Sequence, residues 1–294
     1  MFEQLGLIGC GLMGGSFALA IKRAGLVKRV IGYSKSPTTT ERAQQLGVID
    51  SQAPSALMAV SNSDLVLLAI PVAATEATLK AIRHLVTPQT LVMDVGSTKS
   101  DVVAAAQRSL RDHVGSFVPA HPITGREVSG VEHAEAELYS GRQVILTPTD
   151  ATEPDHVERA EALWKALGCR VKRMTPQEHD SAFAAVSHLP HLLAFAMMHS
   201  ISMQPEADDY LSLAGPGFRD FTRIAASDPK MWRDVLRSNR EEVLGQAALF
   251  REALRELEQA MQADGDQQLE ALIGEASSTR GKWRMGAQRK SASS

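Results

Sequence analysis

The sequence predicts two domains, an α/β domain with a doubly wound parallel sheet and then an all-α domain. Short apolar runs alternate with helix-like runs over residues 1–175, a pattern typical of a parallel sheet that helices cover on both faces. The strand-like runs then stop, and helical periodicity dominates residues 176–278. A chain of 294 residues is long enough for two such domains. We expect residues 279–294 to be a disordered tail, because they include five basic residues and no acidic ones.

A glycine-rich segment opens the α/β domain, between a predicted first strand at 4–8 and a first helix at 12–24. Gly9, Gly11 and Gly14 have the G-x-G-x-x-G spacing of Rossmann-type dinucleotide-binding loops. The first glycine permits a tight turn, the second a close approach of the pyrophosphate, and the third close packing of helix on strand. The helix N-terminus then offers N–H groups and the positive end of its dipole to phosphates. We predict a cofactor-binding loop made of Gly9, Cys10, Gly11, Leu12, Met13 and Gly14.

The residues after the second predicted strand, 29–33, bear on the choice of cofactor. An acidic residue at this point hydrogen-bonds the ribose 2′-hydroxyl in NAD-binding domains of this type. Ser34 and Lys35 stand here instead, so no carboxylate repels a 2′-phosphate and the lysine is able to pair with one. The sequence therefore favours NADP+, with NAD+ as the alternative. The alternative for Lys35 is a solvated surface residue.

Two polar residues follow later strands of the predicted sheet. Further strands are predicted at 64–70, 90–95, 116–119, 143–147 and 170–174, and helices at 39–45, 74–85 and 154–167. Residues at the carboxyl ends of parallel strands face the ligand crevice. Ser97 is therefore placed to meet substrate or nicotinamide, or else to cap a helix that begins near Ser100. His121 lies in the loop after 116–119, which makes it a candidate catalytic residue or an ordinary loop histidine.

The helical region contains a second pair of histidines. Residues 181–203 are apolar on most faces and predict a buried helix, with a kink or boundary at Pro190. His188 and His191 are three residues apart and share a helix face. A metal site is not predicted, because no third ligand stands nearby. Two interpretations stay open: two core histidines, or two buried polar groups that face a substrate.

Two arginines and a long helix follow. Gly215 and Pro216 predict a turn, after which Arg219 and Arg223 flank Asp220. Arginine suits bidentate binding of a carboxylate, although either side chain could simply pair with the aspartate.

A long amphipathic helix is predicted from Met231 onward. Its apolar residues recur every seven positions, at Leu236, Val243, Phe250 and Leu257, with a companion row at Ala247, Leu254 and Met261. This stripe predicts packing against a partner subunit, and hence a homodimer, with packing inside one subunit as the alternative.

Composition excludes several classes of protein. A net charge of −3 gives no support for nucleic-acid binding. The longest apolar run, 189–198, is too short to cross a bilayer and contains Pro190 and His191, so no membrane association is expected. Cys10 and Cys169 are the two cysteines of the chain, which fits a reducing, cytoplasmic location without a disulfide framework. We expect no leader peptide, because the predicted first strand begins at residue 4.

Four segments together resemble the prephenate/arogenate (cyclohexadienyl) dehydrogenase family of tyrosine biosynthesis. They are Gly9-Cys10-Gly11-Leu12-Met13-Gly14-Gly15-Ser16, His121-Pro122-Ile123-Thr124-Gly125, Ser187-His188-Leu189-Pro190-His191, and Gly217-Phe218-Arg219-Asp220-Phe221-Thr222-Arg223 with Asp228, Pro229 and Trp232. The resemblance spans residues 4–284, and the third and fourth segments are the most specific. It implies a nucleotide domain, a helical dimerisation domain, and oxidative decarboxylation of prephenate or arogenate with NAD(P)+.

The resemblance also implies roles for individual residues. His121 takes the proton of the substrate 4-hydroxyl, and Ser97 orients that hydroxyl and the nicotinamide. His188 and His191 line the pocket. Arg223 binds a substrate carboxylate, with Asp220 and Trp232 near the mouth. A local positive charge of this kind is needed because the substrate carries at least two negative charges and the chain is net acidic.

Departures from the family pattern leave some choices open. Ser34 replaces the acidic residue of the NAD-preferring members, and Thr124 and Arg126 differ from many relatives with no clear effect on substrate. A β-hydroxyacid dehydrogenase is one alternative, for which Lys230 would be the catalytic lysine. A non-enzymatic NAD(P)-binding sensor is another, and it leaves His121, His191 and Arg223 without a joint role. An enzyme without an added mutase or tyrosine-binding domain is expected.

Overall fold

A six-stranded parallel sheet forms the centre of the N-terminal part of the chain. The computed structural model describes residues 1–125, 128–263 and 266–284. The strands are β1 (Phe2–Ile8), β2 (Val27–Tyr33), β3 (Ser51–Gln52), β4 (Leu65–Leu68), β5 (Leu91–Asp94) and β6 (Phe117–Val118). Their order is β3-β2-β1-β4-β5-β6, and every pair is parallel. The strand order reverses direction between β1 and β4, which opens a ligand crevice at their carboxyl ends.

Helices cover both faces of this sheet, which confirms the doubly wound prediction. They are α1 (Leu12–Arg23), α2 (Pro37–Gln45), α3 (Ala56–Val60), α4 (Thr75–Ile82) and α5 (Ser100–Leu110). Strand β4 shows why both faces are covered: Leu65 and Leu67 belong to one apolar cluster, and Val66 and Leu68 to the other. A strand buried on both sides is apolar throughout, as the sequence of this run indicates.

A second, three-stranded sheet follows, and the sequence did not predict it. It contains β7 (Ala120–Pro122), β8 (Gln143–Leu146) and β9 (Arg170–Arg173), with α6 (Pro154–Ala166) between the last two. Strand β7 pairs antiparallel with β8, and β8 pairs parallel with β9. The strand predicted at 116–119 is confirmed as β6, whereas the loop predicted to follow it and to contain His121 is wrong, because the chain changes sheets at Pro119 and continues as β7. Proline has no N–H to continue a ladder, while its carbonyl accepts a hydrogen bond from the Thr147 N–H at 3.0 Å.

One continuous 27-residue helix opens the helical region. It comprises α7 (Pro176–Phe183), a π-helical turn over Ala184–His188, and α8 (Leu189–Ser202). Pro190 marks the start of α8 and does not end the helix. By length and composition alone this helix could cross a membrane. Its titratable groups hydrogen-bond to the sheet domain, as described below, so the absence of membrane association stays our prediction.

The prediction that residues 181–203 are buried is wrong for the single chain. After Phe183, the buried residues of this helix are Ala184, His188, Leu189 and Ala194. In contrast, Val186 is 72% exposed and Met197 is 41% exposed. Apolar periodicity reports which residues avoid water in the assembled protein, and it does not say which chain covers them.

The remaining helices are α9 (Ala207–Ser212), α10 (Pro216–Thr222), α11 (Pro229–Ser238), α12 (Arg240–Gln262) and α13 (Gln267–Lys282). The turn predicted at 215–224 is mostly α10, because proline at a first helical position already has the required φ angle. The single helix predicted from Met231 is wrong, since it is interrupted at Asn239.

The chain forms two compact units, residues 1–242 and the segment from Val243 onward. In the second unit, Val243 and Ala247 of the predicted stripe are buried, while Leu254 and Met261 are exposed. Helix α13 includes the first residues of the predicted tail. The rest of that tail, from 285, lies outside the described residues, as do Arg126 and part of the predicted helix break at 264–265. The boundary at 175/176 stays a prediction.

Candidate active site

The glycine-rich loop has the shape that a dinucleotide pyrophosphate requires. Gly9 has φ +97°, which other residues rarely adopt, and a Cβ at Gly14 would lie 1.9 Å from the Gly9 carbonyl oxygen. A Cβ at Gly11 would meet nothing within 4 Å, so the loop faces open space at this point. Helix α1 begins at Leu12 with no side-chain cap, which leaves its first N–H groups available to phosphates. The residues present therefore fit a bound dinucleotide.

Ser34 joins the end of β2 to this loop. Its hydroxyl oxygen accepts a hydrogen bond from the Cys10 N–H at 2.8 Å, and its own N–H donates to the Thr40 hydroxyl at 3.0 Å. Lys35 is exposed, and no acidic residue follows β2. Burial raises the pKa of the Cys10 thiol to about 11, so this cysteine is a small packing residue and not a nucleophile.

His121 lies on β7 and contacts a second histidine that the sequence analysis missed. Its Nδ1 is 2.8 Å from Nε2 of His179 on α7. The His179 ring stacks on Phe183, with centroids 4.4 Å apart, and Phe183 also contacts the His121 ring. Burial holds the pKa of His121 well below its usual value, and His179 and the positively charged Lys99 act in the same direction. His121 is therefore a neutral imidazole at physiological pH, able to accept a proton.

Asp180 connects this histidine pair to the sheet domain. Its Oδ1 lies 2.8 Å from Nδ1 of His179. The same carboxylate accepts the N–H groups of Lys99, at 2.9 Å, and Ser100, at 2.8 Å. Asp180 thus caps helix α5 from about eighty positions further along the chain. The alternative that Ser97 caps this helix is wrong, because the residue at the cap position is Lys99.

A buried ion pair supports the strand that bears His121. Lys99 is fully buried, pairs with Asp94 at the end of β5, and donates to the Ala120 carbonyl oxygen at 2.9 Å. Asp94 accepts the Ala120 N–H at 3.1 Å through its other oxygen. The pair therefore links β5 to β7 through both backbone polar groups of Ala120. It places His121 at the same edge of the molecule as the turn that contains Ser97.

His188 and His191 lie on the same side of the long helix, next to Trp232 of α11. The amide of buried Asn239 donates to Nδ1 of His188 at 3.0 Å and to the Asp180 carbonyl oxygen at 2.8 Å. His191 stacks on Trp232, with centroids 3.5 Å apart and planes 20° apart. Burial lowers the pKa of His188 to about 4. The Ser97 backbone acts to raise the same pKa, and Ser97 therefore lies beside this histidine.

Two buried donors in this group make no hydrogen bond to the described residues: Nε2 of His188 and Nε1 of Trp232. Buried polar groups are rarely left unsatisfied without a reason. The interpretation of His188 and His191 as polar groups that face a ligand is therefore favoured over that of two core histidines.

The π-helical turn brings these side chains to one face of the helix. At about 100° per residue, an uninterrupted α-helix would place His188 about 180° and His191 about 120° from His179. A π turn absorbs one extra residue, which reduces these angles to about 80° and about 20°. His179, Phe183, His188 and His191 consequently lie on one side of the helix.

Arg223 and Asp220 lie on a more exposed part of the helical region. Asp220 pairs with Arg219 at 3.2 Å, and both side chains are largely exposed. Arg223 is exposed and, with Met198 and Phe218, lines an apolar groove. The structure thus brings together Ser97, His121, His188, His191 and Trp232, and the roles of Arg223 and Asp220 stay predictions. Among the described residues, no group of three His, Cys, Asp or Glu side chains could hold a metal ion.

The sequence analysis missed Asp94, Lys99, His179, Asp180 and Asn239. The sequence carried little signal for His179 and Asp180, since they follow Gln177 and Glu178 in a polar helix start. Charged residues at such positions are buried only when they are paired.

Comparison with known proteins covers nearly the whole chain. Two family models match: "Prephenate dehydrogenase, nucleotide-binding domain" at residues 17–173, and "Prephenate dehydrogenase, dimerization domain" at residues 175–275. Prephenate dehydrogenase of Bacillus subtilis is 38% identical over 88% of this chain and 69% of its own length. Cyclohexadienyl dehydrogenase of Zymomonas mobilis is 33% identical over 92% of each protein.

Solved structures agree with these sequence matches. The crystal structure of prephenate dehydrogenase from A. aeolicus in complex with hydroxyphenyl propionate and NAD+ has a TM-score of 0.89 and 36% identity, covering 96% of this chain and 98% of the other. Synechocystis arogenate dehydrogenase has a TM-score of 0.81 and 26% identity, covering 95% and 99%. Both are similar to this chain in fold over nearly their full length.

Proposed function

The chain belongs to the prephenate dehydrogenase family, and on that premise we propose that it catalyses the oxidative decarboxylation of prephenate to 4-hydroxyphenylpyruvate with NAD(P)+. The observation that supports this most directly is the neutral His121, held by buried polar groups at the edge of the sheet where the dinucleotide loop opens. A basic imidazole is needed there, because loss of hydride from the carbinol carbon leaves a positive charge that only loss of the hydroxyl proton relieves. The reaction belongs to the biosynthesis of tyrosine.

The residues divide the chemistry among them. The nicotinamide, when bound, supplies the hydride acceptor. His121 accepts the 4-hydroxyl proton, so the ring carbon becomes a carbonyl, and the bond to the ring carboxylate then breaks to release CO2 and leave an aromatic ring. Ser97, in the turn after β5, orients the hydroxyl and the nicotinamide. The turn lies beside His188, which supports this assignment.

The negative charges of the substrate need donors and a cation. Nε2 of His188 and Nε1 of Trp232 are buried donors without a partner among the described residues, and a substrate carboxylate or carbonyl would satisfy them. We assign Arg223 to a substrate carboxylate and Asp220 to the mouth of the pocket. His191 holds the Trp232 ring by stacking.

NADP+ is the cofactor that we propose, with NAD+ as the alternative. The chain lacks a carboxylate after β2, and Ser34 stands at that position with its hydroxyl turned to the glycine-rich loop. Lys35 is exposed and able to reach a 2′-phosphate. Phosphate contacts are made by the loop from Gly9 to Gly14, including Cys10, Leu12 and Met13.

A homodimer formed by the helical region is the assembly that we propose. Apolar side chains of the long helix are exposed in the single chain, including Val186 and Met197. Exposed apolar surface of this kind marks an interface, and the second family model describes a dimerization domain. We place the enzyme in the cytoplasm, since its relatives are biosynthetic enzymes and both cysteines are free.

The test is a two-by-two assay of the purified protein, with prephenate or arogenate and NADP+ or NAD+, followed by absorbance at 340 nm. We expect turnover of prephenate with NADP+, and at least about a 1000-fold loss in His121→Asn. Turnover with NAD+ alone would refute the cofactor assignment. Turnover of arogenate alone would favour the second candidate function, which the likeness to Synechocystis arogenate dehydrogenase supports. Cofactor binding without any turnover would overturn the proposed function.

A further inference from the structure

We propose that His179 and Asp180 are positioning residues that hold His121 in the tautomer with its proton on Nδ1 and a free lone pair on Nε2. The three residues form a buried hydrogen-bonded series, with 2.8 Å between His121 Nδ1 and His179 Nε2 and 2.8 Å between His179 Nδ1 and Asp180 Oδ1. The tautomer follows from these hydrogen bonds and from the charge states of Asp180 and His179, and it does not depend on the proposed function. Its catalytic meaning rests on the proposed function.

The direction of each hydrogen bond begins at Asp180. Its carboxylate accepts the N–H groups of Lys99 and Ser100 as well as the His179 proton. Burial acts to raise the pKa of Asp180, but these hydrogen bonds outweigh burial and leave the pKa below its usual value. An ionised carboxylate only accepts, so Nδ1 of His179 must be the donor.

The same reasoning gives the position of the proton on His179 and then on His121. Burial lowers the pKa of His179, so this ring is neutral and has one proton, which stands on Nδ1. Its Nε2 is therefore an acceptor, and Nδ1 of His121 must donate to it. Neutral His121 is left with an unprotonated Nε2. The opposite tautomer would place two lone pairs against each other 2.8 Å apart in a buried site.

Burial lowers the pKa of both histidines, and it outweighs Asp180 and Asp94, which act to raise the pKa of His179. Lys99, fully buried, pairs with Asp94 and lowers the pKa of each ring, and His188 acts on His121 in the same direction. When Nε2 of His121 accepts the substrate hydroxyl proton, its Nδ1–H remains bonded to His179. The added charge is then partly balanced by Asp180, and no proton has to move to His179. When CO2 leaves, the electron pair of the broken C–C bond passes through the ring to the oxygen, and the proton returns from Nε2 to that oxygen, which gives the phenol and restores neutral His121.

The direct test is the protonation of the His121 ring in the full chain, labelled with 15N-histidine and observed by long-range 1H–15N correlation above neutral pH. The chain has nine histidines, and the His121→Asn variant identifies the resonance. We expect a protonated Nδ1 and an unprotonated Nε2. A protonated Nε2 in the wild-type protein would overturn the proposal. This measurement does not depend on turnover, so an inactive protein with the expected tautomer would refute the proposed function and leave this proposal standing.

A matched set of variants tests the effect on turnover. His179→Leu removes the acceptor, whereas His179→Gln keeps an acceptor oxygen near the position of Nε2. We expect kcat to fall about 100-fold in His179→Leu and less than about fivefold in His179→Gln, with KM for prephenate within about threefold of wild type in both. His179 is fully buried, and His121 and Asp180 already occupy its two ring nitrogens, so we expect no direct contact with substrate.

His156→Leu is the control for loss of a buried histidine, since His156 bonds to the Pro88 carbonyl oxygen in another part of the sheet domain. We expect its kcat to equal that of wild type. Wild-type kcat in His179→Leu, or equal loss in His179→Gln and His179→Leu, would overturn the proposal. If His179→Leu does not fold, as circular dichroism would show, the tautomer measurement on the wild-type protein decides alone.

Discussion

Replacement of His188 by asparagine should remove part of the pH dependence of folding stability. His188 is 1% exposed, and its Nδ1 accepts a hydrogen bond from Asn239, so protonation at Nδ1 would break that bond. Its pKa is about 4 in the folded protein, against an ordinary value of 6.5. Below pH 6.5 the unfolded chain binds a proton that the folded protein rejects, so stability falls as the pH is lowered toward 4.

The magnitude follows from the difference between the two pKa values. The pKa of His188 is about 2.5 lower in the folded protein than in the unfolded chain. Since a pKa difference of one corresponds to about 1.4 kcal/mol, the loss of folding stability is about 3 kcal/mol at a pH below both values. Between pH 8 and pH 5 the same relation gives a loss of about 2 kcal/mol from His188 alone. The asparagine variant keeps an oxygen near the position of Nδ1 to accept from Asn239, but it has no group that titrates. Its stability should therefore fall by about 2 kcal/mol less over this interval.

Urea unfolding at pH 8 and pH 5, followed by tryptophan fluorescence at one fixed protein concentration, measures this difference. The fixed concentration matters, because dimerisation would make apparent stability depend on it. His199→Asn is the control, since His199 is exposed on the same helix and should leave the pH dependence unchanged. If His188→Asn lost as much stability as wild type between the two pH values, the reasoning about His188 would be refuted.

Three further predictions concern the ion pair, the π turn and the cofactor. Lys99→Met should lower the free energy of unfolding by about 3–5 kcal/mol, because Asp94 becomes an unpaired buried charge. Adding Asp94→Asn should recover part of this loss, as measured by chemical unfolding, and no recovery in the double variant would contradict the explanation. Deletion of Val186, which is 72% exposed, should convert the π turn to regular helix and keep His188 and His191 about 80° and about 20° from His179, so kcat should stay within about tenfold of wild type, as should that of Val186→Ala; a loss of kcat of about 100-fold or more in the folded deletion variant would contradict the geometry. Ser34→Asp should lower kcat/KM for NADP+ about 10-fold to 100-fold and leave kcat/KM for NAD+ unchanged, because the new carboxylate repels the 2′-phosphate. Ser34→Ala should change kcat/KM for the two cofactors equally. An equal loss with both cofactors in Ser34→Asp would argue against the cofactor assignment.

Local patterns were sufficient to predict much of the fold and several site residues. The spacing of Gly9, Gly11 and Gly14 predicts a turn between a strand and a helix because backbone sterics impose those glycines within a few residues of chain. The apolar run of β4 likewise predicts burial on both faces. Ser97 and His121 were predicted from one rule, that residues after parallel strands face the crevice. Each of these inferences needs only neighbours in sequence.

Predictions failed where the deciding contact was distant in sequence. The change of sheet at Pro119 depends on pairing with β8, which begins at Gln143. The interruption of the last long helices at Asn239 accompanies hydrogen bonds from its amide to His188 and Asp180. The exposed apolar face of the long helix is a different case, because a periodic pattern does not state which chain covers it.

The sequence by itself determined the doubly wound sheet and the dinucleotide loop, and it made His121 a candidate base, because these inferences need only local sterics, periodicity and strand ends. Only the tertiary structure decided how that base is held. His121 and His179 are fifty-eight residues apart, and Asp180 caps a helix that begins eighty residues before it. No sequence spacing encodes such pairs. The π turn removes about 100° of rotation that a regular helix would have, and the side chains share one face only because the folded chain accommodates the extra residue.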